Sequence, residues 1–364
     1  MKTLRILIVK LGSIGDIVHT LPALAAAREA LGAGAEISWV VERGAAEILR
    51  DNPLVDRLIV IDTKALRRWP VSGETLSATR RQLRRLRASA FDLTIDFQGL
   101  LKSALIARLS GAPRRYGFAP EHLREPASRL LLTDTVAVPA RTHVIRKNLA
   151  LVAGALGVDV PDDAADFSFP IHVDPEHKLE AAEAAHAVHD QFVILNPGGN
   201  WPTKLWDAQR FGALADEINE RLGLRSLVTF GPGEEALAAT IERSSQSGAA
   251  RAVSLSLKGF YALARRARAY VGGDTGPTHL AVAAGAPIVG LFGPTEWWRN
   301  GSPRGDDICV ERNDISCRTD CHRRACSQWI CMDIEVERVF AAIAERVRRA
   351  DAARGTQREE LTVA

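Results

Sequence analysis

An excess of charge of either sign is missing from this chain. Its 47 Lys and Arg stand against 44 Asp and Glu, a net charge of +3 over 364 residues. Nucleic-acid binders carry a strong basic surplus, so no nucleic-acid partner is expected. Long hydrophobic runs are missing too, and no stretch approaches the ~20 apolar residues of a spanning helix. The opening run of residues 4–9 is too short for a signal h-region and precedes no small-residue cleavage site. Cysteine is sparse: Cys309 stands alone, and Cys317, Cys321, Cys326 and Cys331 form a cluster. An odd count and a buried-strand start favour the reducing cytoplasm over a disulfide framework. Two nucleotide signatures are also absent, because neither Gly-x-Gly-x-x-Gly nor Gly-Lys-Ser/Thr occurs after the first strand. That weakens a nicotinamide or P-loop reading.

What remains is an ordinary soluble composition, 46% apolar and 25% charged, which excludes a disordered chain, a collagen and a coiled-coil rod. At ~100–200 residues per domain, the length points to two domains. Leu4–Val9 reads as a parallel strand buried on both faces, and a helix follows over 17–31. Strands are expected at 37–41, 58–61 and 93–96, with helices at 45–50, 75–90 and 102–109. Residues 157–175 turn to Asp, Pro and Val without helical period and read as the linker. A second βα series follows, with strands at 192–195, 227–230, 270–271 and 288–291 and helices at 211–222 and 236–244. The rhythm predicts an α/β chain of two Rossmann-like domains with a cleft between them. The boundaries are 1–172, 173–350 and a polar, frayed tail over 351–364.

Most chemistry-bearing motifs fall just after an expected strand, where open α/β sheets bind ligands. The first turn holds Gly12, Ser13, Gly15 and Asp16. Asp16 either caps the helix or serves as a general base. Asn196-Pro-Gly-Gly-Asn-Trp-Pro-Thr-Lys204 offers amides, the Thr203 hydroxyl and the Lys204 cation to a diphosphate; the alternative is a plain surface turn. Glu234 and Glu235 after Gly231-Pro-Gly either bond a ribose or complement a helix dipole. Gly273-Asp-Thr-Gly-Pro-Thr-His279 packs Asp274, Thr275, Gly276 and His279 into one turn leading into a helix. Such density favours a phosphate and sugar site over a structural histidine.

Eight cations lie between Lys64 and Arg87 against one acid, Glu74. They form a solvated helix face or a surface for an anionic substrate or membrane. The four clustered cysteines, at C-x3-C, C-x4-C and C-x4-C, match the usual pairs of zinc sites poorly. They are therefore loose thiols or a bound zinc or iron, with His322 a bystander or a ligand.

In order along the chain, Lys10-Leu-Gly-Ser-Ile-Gly-Asp16, Asn196-Pro-Gly-Gly199 with Lys204-Leu-Trp206, Gly231-Pro-Gly-Glu-Glu235, Gly273-Asp-Thr-Gly-Pro-Thr-His279 and Phe292-Gly-Pro-Thr295 resemble glycosyltransferase family nine, the bacterial heptosyltransferases. Arg67-Arg-Trp69, Asp96-Phe-Gln-Gly-Leu-Leu-Lys102 and Arg124-Glu-Pro126 resemble its lipopolysaccharide branch. The resemblance implies a GT-B fold, an N-terminal acceptor domain, a C-terminal nucleotide-sugar domain and an inverting transfer from ADP-heptose to Kdo on lipid A. It implies no cofactor or required metal. Asp16 would be the base. Gly15, Thr203, Lys204, Glu234, Glu235, Asp274, Thr275, Gly276 and His279 would hold the donor, and Arg67, Arg68, Lys102 and Arg124 the acceptor. The enzyme would be cytoplasmic, touching the inner leaflet of the inner membrane. Competing readings keep the fold with another acceptor, or make the chain a nucleotide-binding oxidoreductase or a silent sugar-binding module.

Overall fold

In the computed structural model, residues 3–62, 81, 84–319 and 321–363 are described, the side chains of 355–363 aside. Lys64, Arg67, Arg68 and most of the helix expected over 75–90 lie outside them. The chain divides into two compact units, Met1–His172 and Val173–Ala364. The first contains β1 (Leu4–Val9), α1 (Ile14–Val18), α2 (Leu21–Leu31), β2 (Ala35–Glu42), β3 (Arg57–Ile61), β4 (Leu93–Asp96), α3 (Leu101–Leu109), β5 (Arg114–Phe118), β6 (Asp134–Val136) and α4 (Val144–Leu156). The second contains α5 (Pro175–His186), β7 (Phe192–Asn196), α6 (Ala208–Leu222), β8 (Arg225–Phe230), α7 (Glu235–Ser244), β9 (Ala250–Ser254), α8 (Leu257–Ala264), β10 (Ala269–Gly273), α9 (Gly276–Ala283), β11 (Ile288–Phe292), α10 (Trp297–Asn300), β12 (Ile308–Glu311) and α11 (Val336–Val363).

Each unit is built on a six-stranded sheet, in the orders β3-β2-β1-β4-β5-β6 and β12-β11-β10-β7-β8-β9. Among the described residues every pairing is parallel. Parallel pairing hides both sheet faces under helices, which is why β1, β7, β10 and β11 are almost wholly apolar runs. Ile6–Val9 and Phe192–Leu195 are at most 1% exposed. In each unit the strand order reverses next to the first strand: between β1 and β4, and between β7 and β10. Loops leaving the carboxyl ends there diverge and leave a crevice for ligand.

Apart from the helix expected over 75–90, the expected strands and helices of both series form, with ends moved by a few residues. The segment 45–50 is a 3₁₀ helix, Arg43–Leu49. The expected linker agrees to within one residue, since Pro175 starts α5. Pro is well placed in a first helical turn, where its missing N–H costs nothing, and Asp174 precedes it as N-cap. The tail does not begin at Asp351, since α11 runs on to Val363. Elements absent from the expectation are the helices α4, α5, α8, α10 and α11 and the strands β5, β6, β9 and β12.

Candidate functional site

At the first reversal point, β1 ends by burying a cation. Lys10 is 4% exposed, and its Nζ donates to the Phe97 carbonyl at 2.9 Å. It also lies 3.6 Å from Asp16 Oδ1. Burial lowers the Lys10 pKa, Asp16 and Asp96 oppose that, and Arg124 adds to it. Asp16 divides its two oxygens between two jobs. Oδ2 accepts from the Ser13 backbone N–H at 2.8 Å and the Ser13 hydroxyl at 3.3 Å, tying the start of α1. Oδ1 faces Lys10 and, at 3.8 Å, Arg124. Cap and charged site are thus one carboxylate.

The loop after β4 closes round this turn. Gln98 Oε1 accepts from the Leu11 N–H at 3.0 Å, and Asp96 Oδ1 accepts from the Gln98 N–H at 2.8 Å. The chain then turns at Gly99, whose φ of +69° suits glycine. A Cβ there would come within 3.3 Å of Leu123 Cδ2 and 3.6 Å of the Arg124 nitrogen. The Gly99 carbonyl accepts from the backbone N–H groups of Arg124 and Glu125 at 3.1 and 3.2 Å, which sets Arg124 over Asp16. Lys102, one residue into α3, reaches Glu42 Oε1 at 3.4 Å. Asp16, Lys102 and Arg124 therefore share the carboxyl edge of one sheet.

Asp96 is 1% exposed, and burial pushes its pKa up to about 6 despite hydrogen bonds from Gln98, Ser103 and Gly99. The folded chain then binds this proton more tightly than the unfolded chain. Stability should be greatest below about pH 4 and fall as pH rises to about 6, by roughly 3 kcal/mol from this group. Asp96→Asn should remove that slope. The Asn oxygen can take the Gln98 N–H, and the Ser103 hydroxyl, which already donates to Leu100 at 2.8 Å, can accept from its amide. Denaturant melts of both proteins across pH 4–7 check this; a slope unchanged in the variant contradicts it.

At the second reversal point three loops meet. Lys204 Nζ lies 2.5 Å from Asp274 Oδ2 and donates to the Asp274 carbonyl at 3.1 Å. Its ammonium also sits 4.3 Å from the Trp201 ring centre. His279 Nε2 lies 3.3 Å from Asp274 Oδ1, which Asn300 Nδ2 also reaches. Burial raises the Asp274 pKa, but the His279 hydrogen bond and charge, and then Lys204, outweigh it and hold it well below the usual carboxylate range. Its stabilisation is thus present at neutral pH and lost only on strong acidification. Thr275 stands at the N-cap position of α9 without a side-chain cap hydrogen bond, leaving the amides at Gly276 near this charge cluster. Helix N-termini attract anions.

Glycines let the loops approach. A Cβ on Gly199 would lie 2.9 Å from Thr275 Cγ2, and one on Gly273 3.0 Å from the Lys204 carbonyl. A Cβ on Gly198 would lie 2.2 Å from Glu234 Oε2, the oxygen that accepts from the Gly231 N–H at 2.9 Å. Gly198→Ala must therefore displace the Glu234 carboxylate. It should reproduce the loss of ligand affinity of Glu234→Ala, with the double variant no worse than either single one; additive losses in a titration would contradict the contact. Glu235 is exposed and accepts from Gly233 N–H at 3.1 Å.

One expected donor ligand is corrected. The Thr203 hydroxyl does not join the charge cluster; it donates to the Arg323 carbonyl at 2.7 Å, and Thr203 is 4% exposed. A short 3₁₀ turn, Pro202–Lys204, faces Thr203 and Lys204 differently. Lys10 and Asn300 were missed. A lysine ending an apolar strand is a signal; an asparagine 26 residues from Asp274 gives none. His322 is engaged elsewhere, its backbone N–H on the Pro294 carbonyl at 2.9 Å and its ring 3.2 Å from Arg299 Nη1. The four clustered cysteines carry free thiols and line one pocket with Thr203 and Pro294.

Two doubly wound units, with a carboxylate between cations at one reversal point and a cationic, amide-rich cluster at the other, match the architecture of the GT-B fold. The chain belongs to glycosyltransferase family 9 (heptosyltransferase), whose model matches residues 79–329. It is 35% identical over 295 residues to lipopolysaccharide heptosyltransferase 1 of Pseudomonas aeruginosa, covering 80% of this chain and 79% of that one. To the protein of the same name in Escherichia coli K12 it is 32% identical over 300 residues, covering 80% and 89%. Among solved structures it resembles E. coli heptosyltransferase WaaC with ADP at a TM-score of 0.71 and 26% identity, covering 84% of this chain and 93% of that one.

Proposed function

We propose that this heptosyltransferase moves a heptose, with inversion, from ADP-heptose to a Kdo sugar of the lipid A inner core. The observation that carries the donor half is the Lys204–Asp274–His279 cluster beside the start of α9. It supports the reading because a departing diphosphate needs donors already in place. Lys204, Thr275 and the amides at Gly276 would meet its oxygens, and Glu234 the ribose; Glu235 and Gly15 are weaker candidates. Asp16 would take the proton of the acceptor hydroxyl as that oxygen attacks the anomeric carbon. The carbon–oxygen bond to the diphosphate breaks, and ADP leaves with the bonding pair.

The acceptor carries carboxylates and phosphates. Arg124 and Lys102 would bind them, with Arg67 and Arg68 assigned by resemblance. Leu101 and Leu105, one turn apart on α3, are 44% and 47% exposed, and Leu130, on a turn packed against α3, is 84% exposed. Apolar side chains beside cations suit a peripheral hold on an anionic leaflet, at about 1 kcal/mol per cation. Among the described residues no helix is long and apolar enough to cross a membrane, so attachment of that kind, from the cytoplasmic side, is the form proposed. Calorimetric titration with ADP-heptose, ADP and UDP tests the donor. Binding of the first two without UDP supports it; preference for UDP, or no binding, overturns it.

A further inference from the structure

Among the described residues, two cations face Asp16 Oδ1, and they differ in their access to solvent. Arg124 Nη2, 3.8 Å away, belongs to a side chain 57% exposed. Lys10 Nζ, 3.6 Å away, belongs to one 5% exposed. Burying an ammonium is costly unless opposite charge and hydrogen bonds answer it. Three neighbouring strands hold this one in place. The Lys10 N–H donates to the Val40 carbonyl of β2 at 3.4 Å, and the Lys10 carbonyl accepts from the Trp39 indole N–H at 3.0 Å. Just past β4, the Phe97 carbonyl accepts from the ammonium itself at 2.9 Å.

Burial favours a neutral lysine, and the charges of Asp16 and Asp96 oppose it. Asp96 has partners of its own. Its Oδ1 accepts from the Gln98 and Gly99 N–H groups at 2.8 and 3.3 Å, and its Oδ2 from the Ser103 hydroxyl at 2.8 Å. Asp16 Oδ2 is held by the Ser13 N–H, so Oδ1 is the oxygen that turns to Lys10. Other charges near this edge are engaged elsewhere. Lys102 pairs with Glu42 at 3.4 Å. Arg43, on the turn packed against α1, pairs with Asp62 at 3.3 Å.

We propose that Lys10 is a positioning residue for Asp16, a counter-charge that neither substrate can draw away from the base. This deepens the proposed function and rests on its reading of Asp16 as the base. Both substrates of that reading are anions, a diphosphate sugar and an acceptor bearing carboxylates and phosphates. Negative charge brought beside a carboxylate favours its protonated form, and a protonated Asp16 cannot take the hydroxyl proton. Arg124, exposed and assigned to the acceptor's anions, turns towards them and stops compensating. Lys10, buried and tied to Phe97, stays beneath Oδ1. Its field is also less screened there than that of a surface cation.

The test is the pH dependence of kcat over about pH 5 to 9, with ADP-heptose and Kdo-lipid A saturating. Native protein is compared with Lys10→Gln, which keeps a donor for the Phe97 carbonyl and deletes the charge. The kcat profile reports groups in the substrate-bound enzyme, where the effect is expected. Its acid limb should move up by about one pH unit, a tenfold change in proton affinity. Turnover on the acid side should fall about tenfold and recover towards the native value by about pH 9, with the Kd for ADP unchanged. An unmoved limb, or an equal loss at every pH, overturns the proposal, because raising the pH does not repair damaged packing. Should Lys10→Gln fail to fold, carbon-13 NMR titration of the Asp16 carboxyl in the native protein decides, the signal being assigned by its absence from Asp16→Asn. Titration below the ordinary value of about 3.9 is expected, and a value at or above it overturns the proposal. Full turnover in Asp16→Asn counts instead against the reading of Asp16 as base, whatever Lys10→Gln shows.

Discussion

Asp16→Asn should lower kcat by about 10²–10⁴-fold, the usual worth of general-base help, while the Kd for ADP stays where it was. The substitution is chosen on geometry. The Asn carbonyl can still accept from the Ser13 N–H, as Asp16 Oδ2 does at 2.8 Å, so the α1 cap survives. What is lost is the charge and the basic oxygen that faces Lys10 and Arg124. Asp16→Ala is less clean, since losing a capping carboxylate costs about 1 kcal/mol of stability besides. Full turnover in Asp16→Asn would remove this residue from the chemistry and leave it a cap.

The second large effect is expected at Lys204. Its ammonium is the cation at the second reversal point and sits on Trp201. Lys204→Met keeps the stem over that ring and deletes the charge. ADP and ADP-heptose should bind about 10–10²-fold more weakly, the range set by one hydrogen bond to a charged group at 1.5–3 kcal/mol. Both members of the Lys204–Asp274 pair are nearly buried, at 13% and 5% side-chain exposure, so stability should fall too. The remaining Asp274 charge keeps His279 and Asn300 as partners, which limits that loss. Titration at a temperature where the variant is folded separates the two effects. Unchanged ADP affinity would place the diphosphate elsewhere.

The two reversal points were legible because apolar runs such as Leu4–Val9 and Phe192–Asn196 announce buried parallel strands. The glycine and polar bursts after them fell where open α/β sheets bind ligands. The pairing of Gly272-Gly273 with Asp-Thr-Gly-Pro marked the loop after β10 for the same reason. Sequence does not say which way a side chain faces in a turn. Thr203 and Lys204 are neighbours, yet the 3₁₀ turn sends one to Arg323 and the other to Asp274. Nor does it reveal partners across the sheet. Gln98 holds the Leu11 N–H from 87 residues away, and Asn300 reaches Asp274 from a short helix that no periodicity marked. The linker over 157–175 was legible to within one residue, because Gly157 ends α4 and Asp174-Pro175 opens α5.

The most direct test is transfer itself. Purified protein is incubated with ADP-heptose and Kdo-lipid A, and the lipid product is examined by mass spectrometry and by the stereochemistry of the new linkage. The account predicts a single heptose added to Kdo, with the anomeric configuration inverted and ADP released in equal amount. No transfer, or transfer only to an acceptor that already carries heptose, would contradict it.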